Sequence, residues 1–384
     1  MRLYWIWLSL IEGVQPQEKL RVLAHFSSPE DCYHARDYRT VEGLAKEAAE
    51  AFQNKDLSAA KNILKACART NTQVLVYDEA DYPGLLRSIA RPPLVLYYRG
   101  ILPKFNEEPM IGVVGTRKAS LYGQRTAQRL GRDIAGHGGI VVSGMAEGID
   151  GAVTRGALAA GKPVVGVLGC GPDVVYPGCN RELFQKMERS GCLISEYPPG
   201  TQPARRYFPQ RNRIISGISC CVLVVEAPKK SGALITVAQA LEQGRDVYAV
   251  PGNLDMVTCE GSNALLRDGA VAVTCAWDML SEYEARYPGK LTEKIPEQPH
   301  PTDKKPIDNP APTSYSDVDK NTAAPESPEE RILAALDGRE LHMDTLIAKT
   351  GMTSREVLAA LTVMEVTGDV ITRPGGWIGP GKFQ

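Results

Sequence analysis

The chain has 384 residues, 43% of them apolar and 23% charged, which is enough for two or three domains with sizeable cores. Its formal net charge of -1 excludes a general attraction of the whole surface to nucleic acid or anionic membrane, so a polyanion site must be a local cluster. Nine cysteines, without any C-x-x-C pair, argue against a disulfide or zinc framework. We therefore expect a cytoplasmic protein with reduced thiols, no metal and no cofactor.

Residues 1–70 predict a small helical domain of the SAM or helix-hairpin-helix type. Apolar residues recur at helical spacing, as in Leu20, Leu23 and Ala24, and Ser28-Pro29-Glu30 marks a helix start. The apolar segment 3–11 is too short to span a bilayer and predicts a core helix; no membrane partner is expected. The domain has no basic cluster and no G-x-G hairpin, so a packing or interaction role is favoured over DNA binding.

Residues 71–287 alternate between strand and helix patterns. Short apolar runs predict strands at 73–77, 94–98, 110–115, 140–143, 164–168, 193–195, 222–226 and 247–250. Helical patterns separate most of the later runs, at 123–135, 152–160, 182–189, 211–217 and 234–243. A further strand at 270–273 and a helix at 276–287 follow. This pattern predicts an α/β fold with an extended, Rossmann-like, doubly wound sheet.

The last part of the chain changes character twice. Residues 288–328 are rich in Pro, Lys, Asp, Glu and Ser and predict a disordered linker. Residues 329–384 predict a C-terminal winged helix, with helices at 330–336, 344–349 and 354–367 and a hairpin at 369–372 and 377–379. Its third helix offers only Arg355 as a cation, which predicts a poor DNA reader and favours a protein contact, for example around Trp377.

Four predicted strands end in glycine-bearing loops, which begin at Gly115, Ser143, Gly169 and Glu226. Ligands of doubly wound sheets bind beyond the carboxyl ends of the strands, where glycine lets the backbone approach a phosphate. One such loop by itself is more often only a tight turn, but four at one edge favour phosphate binding. The residues predicted to contact phosphate here are Gly115, Thr116, Arg117, Lys118, Ser143, Gly144, Gly148, Gly171, Ser231 and Gly232.

The stretch from Phe208 to Gly217 adds two arginines around an asparagine, directly before an apolar run. Pro209 suits the first turn of a helix, so we expect Arg211, Asn212 and Arg213 in the opening turns, near free backbone N–H groups. Two cations at that end make an anion site. The alternative is a solvated helix start that carries surface arginines.

Catalytic signatures are absent from these loops. No Walker A loop, dinucleotide fingerprint after the first long strand, or nucleophile elbow occurs, and none of the five histidines lies in the loops. Asp150 and Glu226 are predicted to cap or hold loops. We therefore assign no catalytic residue.

Several ordered motifs closely resemble the DNA-processing protein A (DprA/Smf) family. They are V-G-T-R at 114–117, S-G-M-A-E-G-I-D at 143–150, F-P-Q-R-N-R-I-I at 208–215, S-G-A-L-I-T at 231–236 and P-G at 251–252. The resemblance covers roughly residues 82–280. It implies a protein without established enzymatic activity that binds and protects single-stranded DNA, usually as a homodimer. It also implies that the protein helps to load the RecA recombinase during natural transformation and homologous recombination.

Two hypotheses follow. In the first, single-stranded DNA lies across the strand ends, where Arg117, Arg211 and Arg213 hold phosphates. Arg117 and Arg211 are expected at an exposed rim. Arg205 or Arg206 lies at the same rim. Tyr176 or Phe208 either offers a stacking face or packs in the core. The alternative is a phosphoribohydrolase-like nucleotide enzyme, which is disfavoured because the segment at 251–254 does not match the P-G-G-x-G-T-x-x-E signature.

Two positions depart from the family pattern. Val153-Thr154 stands where an Ala-His pair is usual, and Gly178 stands where a basic residue is frequent. The first removes a polar residue from one loop's helix, and the second leaves one DNA contact weaker or replaced.

Overall fold

A computed structural model of the chain describes residues 1–293, 327–337, 339–367, 369–373 and 376–380. The chain divides into two compact units, Met1–Pro299 and His300–Gln384. The predicted linker, residues 288–328, lies outside the described residues except at its ends. At its start the prediction is wrong, because Leu291 is buried and Thr292 donates its N–H to the carbonyl of His137 at 3.0 Å. These residues therefore belong to the first unit.

Five helices open the chain: α1 (Arg2–Leu10), α2 (Pro16–Phe26), α3 (Pro29–His34), α4 (Lys46–Ala51) and α5 (Ser58–Arg69). The predicted start of α3 is confirmed, since the Ser28 side chain accepts the N–H of Asp31. The core helix predicted at 3–11 is confirmed as α1, in which Trp5 to Leu8 are buried.

One sheet of nine strands forms the centre of the first unit. Its strands are β1 (Gln73–Val76), β2 (Val95–Gly100), β3 (Met110–Val114), β4 (Ile140–Ser143), β5 (Val165–Leu168), β6 (Cys192–Ser195), β7 (Cys221–Val224), β8 (Asp246–Ala249) and β9 (Val271–Ala272). Their order is β1-β2-β6-β5-β4-β3-β7-β8-β9. All pairs from β6 to β9 are parallel, whereas β2 pairs antiparallel with β6 and with β1. The predicted α/β sheet is confirmed, with an antiparallel pair at one edge.

Helices cover both faces of this sheet. They are α6 (Gly84–Arg87), α7 (Leu121–Gly136), α8 (Ile149–Ala159), α9 (Arg181–Ser190), α10 (Tyr207–Ile218), α11 (Gly232–Glu242), α12 (Glu260–Arg267) and α13 (Trp277–Leu280). Side chains of α7, α8 and α9 form one buried cluster with the sheet, and those of α10 and α11 form another. The short helices α6 and α12 were not predicted.

The N-terminal helices are joined to the sheet by a shared core. Their buried side chains pack with residues of β1 and β2, including Val74, Val95 and Tyr97. The predicted boundary between residues 70 and 71 therefore does not separate two cores. This packing places α1 and α2 close to the antiparallel edge of the sheet.

The connection between β6 and β7 sets the position of the site. β4, β5 and β6 follow one another on one side of β3, whereas β7 pairs with β3 on its other side. The order in which strands are added to the sheet therefore reverses between β3 and β7. In such sheets the carboxyl ends of the strands beside the change of direction leave a crevice. The loops after β3, β4, β5 and β7, and the start of α10, all lie at this edge.

The second unit has the predicted winged-helix order. It contains α14 (Pro328–Leu336), β10 (Leu341–His342), α15 (Met343–Thr350), α16 (Ser354–Thr367), β11 (Val370–Arg373) and β12 (Trp377–Pro380). The strands pair antiparallel in the order β10-β12-β11 over a small apolar core. None of the helices in the described parts of the two units is long and apolar enough to cross a membrane.

Candidate functional site

A cavity of about 70 Å³ opens at the carboxyl edge of the sheet. The loops after β3, β4 and β5 form its walls, with residues such as Arg117, Ala146 and Gly169. The first two turns of α10 close it, through Phe208 and Arg211. Residues from four separate parts of the chain therefore meet at this cavity. Three of the four predicted glycine loops contribute to its lining, and the loop that begins at Glu226 does not.

Arg211 lies at the base of this cavity and is only 4% exposed. Its Nη1 donates to the carbonyl of Gly144 at 2.7 Å and to the carbonyl of Val167. A Cβ at Gly144 would lie 2.5 Å from Arg211 Nη2 and 2.6 Å from Asp150 Oδ2, so no larger residue fits between the two charges. Arg211 thus ties the ends of β4 and β5 to α10.

The charges of Arg211 and Asp150 depend on each other. Burial lowers the pKa of Arg211 to about 10, and the Asp150 carboxylate opposes this shift. Burial raises the pKa of Asp150, against the nearby Arg211 charge and hydrogen bonds from the N–H groups of Ala146 and Gly144. Asp150 is therefore a loop-holding acceptor, as predicted, and Arg211 keeps its charge at neutral pH.

The expectation that Arg211 lies at an exposed rim is wrong. α10 begins at Tyr207, so Pro209 is its third residue, where a missing N–H costs no intrahelical hydrogen bond. Arg211 and Arg213 consequently occupy the second turn, beyond the free N–H groups. The helix directs Arg211 towards the ends of β4 and β5, where its guanidinium is enclosed.

Arg117 supplies the exposed cation of the cavity, as predicted. Its guanidinium lies 5.1 Å from the ring centroid of Phe208, and the rings of Phe208 and Tyr176 are 5.5 Å apart at an angle of 30°. We call this set, Arg117, Phe208 and Tyr176, the first ladder. Phe208 packs on Gly169, where a Cβ would lie 2.9 Å from its ring. Tyr176 remains 37% exposed, so the ladder presents an aromatic surface to solvent.

Backbone contacts hold the Arg117 loop against the loop after β4. Ile149 donates its N–H to the carbonyl of Thr116 at 3.2 Å, and Gly148 has a φ of +72°. A Cβ at Gly148 would lie 2.6 Å from the carbonyl oxygen of Arg117 and still closer to that of Thr116. Glycine is required here by both conformation and space.

A buried carboxylate fixes the other side of the same loop. Glu226 accepts hydrogen bonds from the N–H and the hydroxyl of Ser120, at 3.1 and 3.0 Å. Ser120 in turn caps α7 by accepting the N–H of Gly123. The predicted loop-holding role of Glu226 is therefore confirmed.

Three of the predicted site residues do not line the cavity. Ser143 is fully buried and donates to the carbonyl of Val113 at 2.8 Å, which leaves it no surface for a ligand. Gly171 packs against the loop of Pro198 and Gly200, away from the cavity lining. Gly115 packs on Ile149.

Exposed polar residues extend from the cavity along the same edge. Lys118, Arg205 and Arg206 are exposed, as is Gly232 at the start of α11. Ser231 caps α11 by accepting the N–H of Ala233. Asn212 links the two regions: its Oδ1 accepts from Arg211 Nε at 3.2 Å, and its Nδ2 donates to the carbonyl of Gly232 at 3.4 Å.

Arg213 lies apart from the cavity. Its Nη2 forms an ion pair with Glu196 Oε2 at 2.5 Å, and it lines a different groove. The sequence placed Arg211 and Arg213 at one site. However, the two arginines are two residues apart on one helix, so their side chains point in directions that differ by about 200°.

Three residues of the site were not predicted from the sequence. Met145 is buried and has a φ of +58°, which is unusual for a residue with a side chain. Asn180 donates to the carbonyls of Met145 and Ala146 at 3.0 and 3.1 Å and so holds this turn. Glu147 lines the cavity and accepts a hydrogen bond from Cys179 Sγ. No local pattern in the sequence signals these contacts.

The two departures from the family pattern have different settings. Thr154 is fully buried and donates to the carbonyl of Asp150 at 2.8 Å, so it supports the loop from below. Gly178 is exposed, and a Cβ there would meet no atom within 4 Å. The second position has room for a larger side chain.

Comparisons with known proteins agree with this architecture. The family model of DNA recombination-mediator protein A matches residues 73–284, and that of the DprA winged helix domain matches residues 317–376. Protein Smf of Synechocystis sp. is 34% identical over 389 residues, which cover 97% of each chain. DNA processing protein DprA of Streptococcus pneumoniae is 34% identical over 277 residues, 71% of this chain and 95% of the relative.

Two solved structures are similar to more than half of the chain. The X-ray structure of DprA from Streptococcus pneumoniae has a TM-score of 0.64 and 31% identity, and covers 73% of this chain and 98% of that one. The structure of DNA processing protein A from Helicobacter pylori, a protein that binds single-stranded DNA, has a TM-score of 0.51 and 25% identity. It covers 56% of this chain and 97% of that one. With its motifs meeting at one edge of the sheet and both family models matched in order, the chain belongs to the DNA recombination-mediator protein A family, also called DprA/Smf.

Proposed function

We propose that this protein binds single-stranded DNA across the carboxyl edge of its sheet. The observation that carries the proposal is the first ladder, in which an exposed arginine and two aromatic rings stand beside a cavity. Unpaired bases can stack on such rings whatever their sequence, whereas bases in a duplex are already stacked on one another. The related Helicobacter pylori protein, which binds single-stranded DNA, supports the same role.

The chemistry of the edge favours phosphate contacts over base reading. Arg117, which lines the cavity, and Lys118, Arg205 and Arg206 are exposed cations in the segments that form this edge. Arg211 adds positive charge from below without being exposed itself. The bound strand is therefore held by its backbone and by stacking, so binding tolerates different sequences.

The test compares single- and double-stranded oligonucleotides at several salt concentrations by gel shift or fluorescence anisotropy. With about three or four phosphates neutralised, the logarithm of the association constant falls with the logarithm of salt at a slope of roughly -2 to -3. We expect tighter binding of single strands and little dependence on base sequence. A flat salt response, or equal affinity for duplex, contradicts the proposal.

We also propose that the protein protects incoming DNA and helps to load the RecA recombinase during natural transformation and recombination. In this proposal it acts in the cytoplasm, as a homodimer and without turnover chemistry. Membership of the recombination-mediator family supports this role. RecA assembly on single strands coated with single-strand-binding protein should be faster with this protein than without it. Unchanged assembly in a preparation that binds DNA contradicts this part alone.

A further inference from the structure

A second, larger groove lies at the same carboxyl edge of the sheet, beyond β6. Its volume is about 390 Å³. Leu10 and Gln15 of the N-terminal helices form one wall, and Gln210 and Arg213 of α10 form the opposite wall. Tyr97 of β2 lines the same groove and pairs with Ser195, the last residue of β6, so the groove lies at the carboxyl end of β6.

A second pair of aromatic rings lies beside this groove, at the first residue of α10. The rings of Tyr197 and Tyr207 are 4.2 Å apart at an angle of 34°, and the Arg206 guanidinium lies 5.1 Å from the Tyr207 centroid. Tyr197 lines the groove, and its hydroxyl donates to Gln210 Oε1 at 2.9 Å. We call Arg206, Tyr207 and Tyr197 the second ladder.

The two ladders meet in sequence at the start of α10. Tyr207 belongs to the second ladder and Phe208 to the first, so both start from consecutive residues of α10. The first ladder stands over the ends of β3 to β5, and the second follows β6, the next strand in the sheet. Neighbouring strands are about 4.8 Å apart, which makes the distance between the two sites comparable to a few nucleotides.

The charge of the groove suits a phosphate backbone. Arg91 is exposed in its lining, and Arg206 is exposed at its entrance. Glu196 is the acidic residue among those that line it, and its charge is compensated by the ion pair with Arg213. Nη1 of Arg213 is buried and has no hydrogen-bond partner among the described residues, so the exposed cations Arg91 and Arg206 are the ones available to a phosphate.

We propose that the groove is a second subsite for single-stranded DNA, in which one or more bases stack on the second ladder between α10 and the N-terminal helices. This inference rests on the proposed function of the first cavity. A single strand runs from the first ladder over the start of α10 to the second. The N-terminal helices thereby contribute directly to the length of strand that is bound.

The experiment uses the full chain and oligothymidylates of about 6 and about 12 nucleotides, lengths within the range that single-strand-binding surfaces cover. One variant, Tyr197→Ala with Tyr207→Ala, removes both rings. A second variant, Arg91→Glu, reverses an exposed charge and leaves the core untouched. The matched control is Lys162→Glu, an exposed charge reversal before β5 at the opposite edge of the sheet.

Wild type should bind the longer oligonucleotide more tightly. The ring variant should lose about 5- to 150-fold in affinity for the longer strand and keep roughly wild-type affinity for the shorter one. Arg91→Glu should show the same selective loss, and Lys162→Glu should show none.

Three results overturn the inference. Equal binding of both lengths by wild type refutes it while the proposed function stands. An equal loss for both lengths in the folded variants shows an effect through the first cavity, and an unchanged affinity for the longer strand shows that the groove is not used. Failure of wild type to bind either oligonucleotide refutes the proposed function itself.

Discussion

Arg211 and Arg117 come from motifs that both suggest phosphate contacts, but the fold gives them different roles. Arg117 is exposed and lies against Phe208, so its charge faces the ligand side of the cavity. Arg211 is buried, and its hydrogen bonds go to the carbonyls of Gly144 and Val167. One arginine is therefore available to DNA, and the other supports the loops that form the site.

Replacing Arg117 with alanine should weaken single-strand binding without changing stability. The loss of one charge-assisted contact corresponds to about 1.5–3 kcal/mol, or roughly 10- to 150-fold in affinity. Anisotropy titration and a urea unfolding curve measure the two effects, with Arg125→Ala on the exposed side of α7 as the control. Unchanged affinity in the Arg117 variant would remove this residue from the site.

Replacing Arg211 with alanine should instead destabilise the first unit. The change leaves the buried Asp150 carboxylate without its neighbouring cation and two carbonyls without their donor. A buried acceptor left without its donor costs about 1–3 kcal/mol, and the uncompensated charge of Asp150 adds to this loss. The urea midpoint should fall clearly, whereas the exposed neighbour Arg205→Ala should leave it unchanged. If the Arg211 variant has the urea midpoint of the wild type but binds single-stranded DNA more weakly, Arg211 contacts the DNA directly.

At the scale of elements, the site depends on how the loops after β3 and β4 are joined. The N–H of Ile149, at the start of α8, bonds the carbonyl of Thr116, and Gly148 fits below the Arg117 loop. The turn also holds Met145 in a left-handed conformation that Asn180 supports from the next loop. Strained backbone of this kind persists only where neighbouring elements hold it.

Gly148→Ala tests this junction. The new Cβ would press on the carbonyls of Thr116 and Arg117, and alanine disfavours the positive φ, so stability should fall by about 1–3 kcal/mol. Single-strand affinity should fall as well, because the Arg117 loop must move. Gly178→Ala is the matched control, since a Cβ there meets no atom within 4 Å. Equal stability of the two variants would show that the junction is not constrained.

At the scale of the whole molecule, the two units differ in what they offer to DNA. The first unit carries both ladders and the exposed cations beside them. In the second unit Arg373 forms an ion pair with Glu340 at 3.1 Å, and Trp377 is 47% exposed. The position of Lys382 lies outside the described residues. These features favour a protein contact by the winged helix over phosphate binding.

A chain that ends at Glu293 should therefore keep single-strand affinity within about threefold of the full-length protein. The cut belongs after Glu293 because Leu291 is buried and Thr292 bonds to His137. Anisotropy titration of both chains, with circular dichroism to confirm folding, measures the effect. If the shortened protein is folded but loses most of its affinity, the winged helix is a principal DNA-binding domain.

The sequence by itself determined the order of elements, because buried parallel strands must be short apolar runs and their loops need glycine at tight turns. It also identified the family motifs, the edge of the sheet where they meet, and Arg117, Tyr176 and Phe208 as candidates. Only the tertiary structure decided which arginine is exposed, since the partners of Arg211 lie 67 and 44 residues away in the chain. The same holds for Asn180, which holds Met145 across 35 residues, and for the groove beside the N-terminal helices. Such contacts depend on packing between distant segments, and no local pattern of residues encodes them.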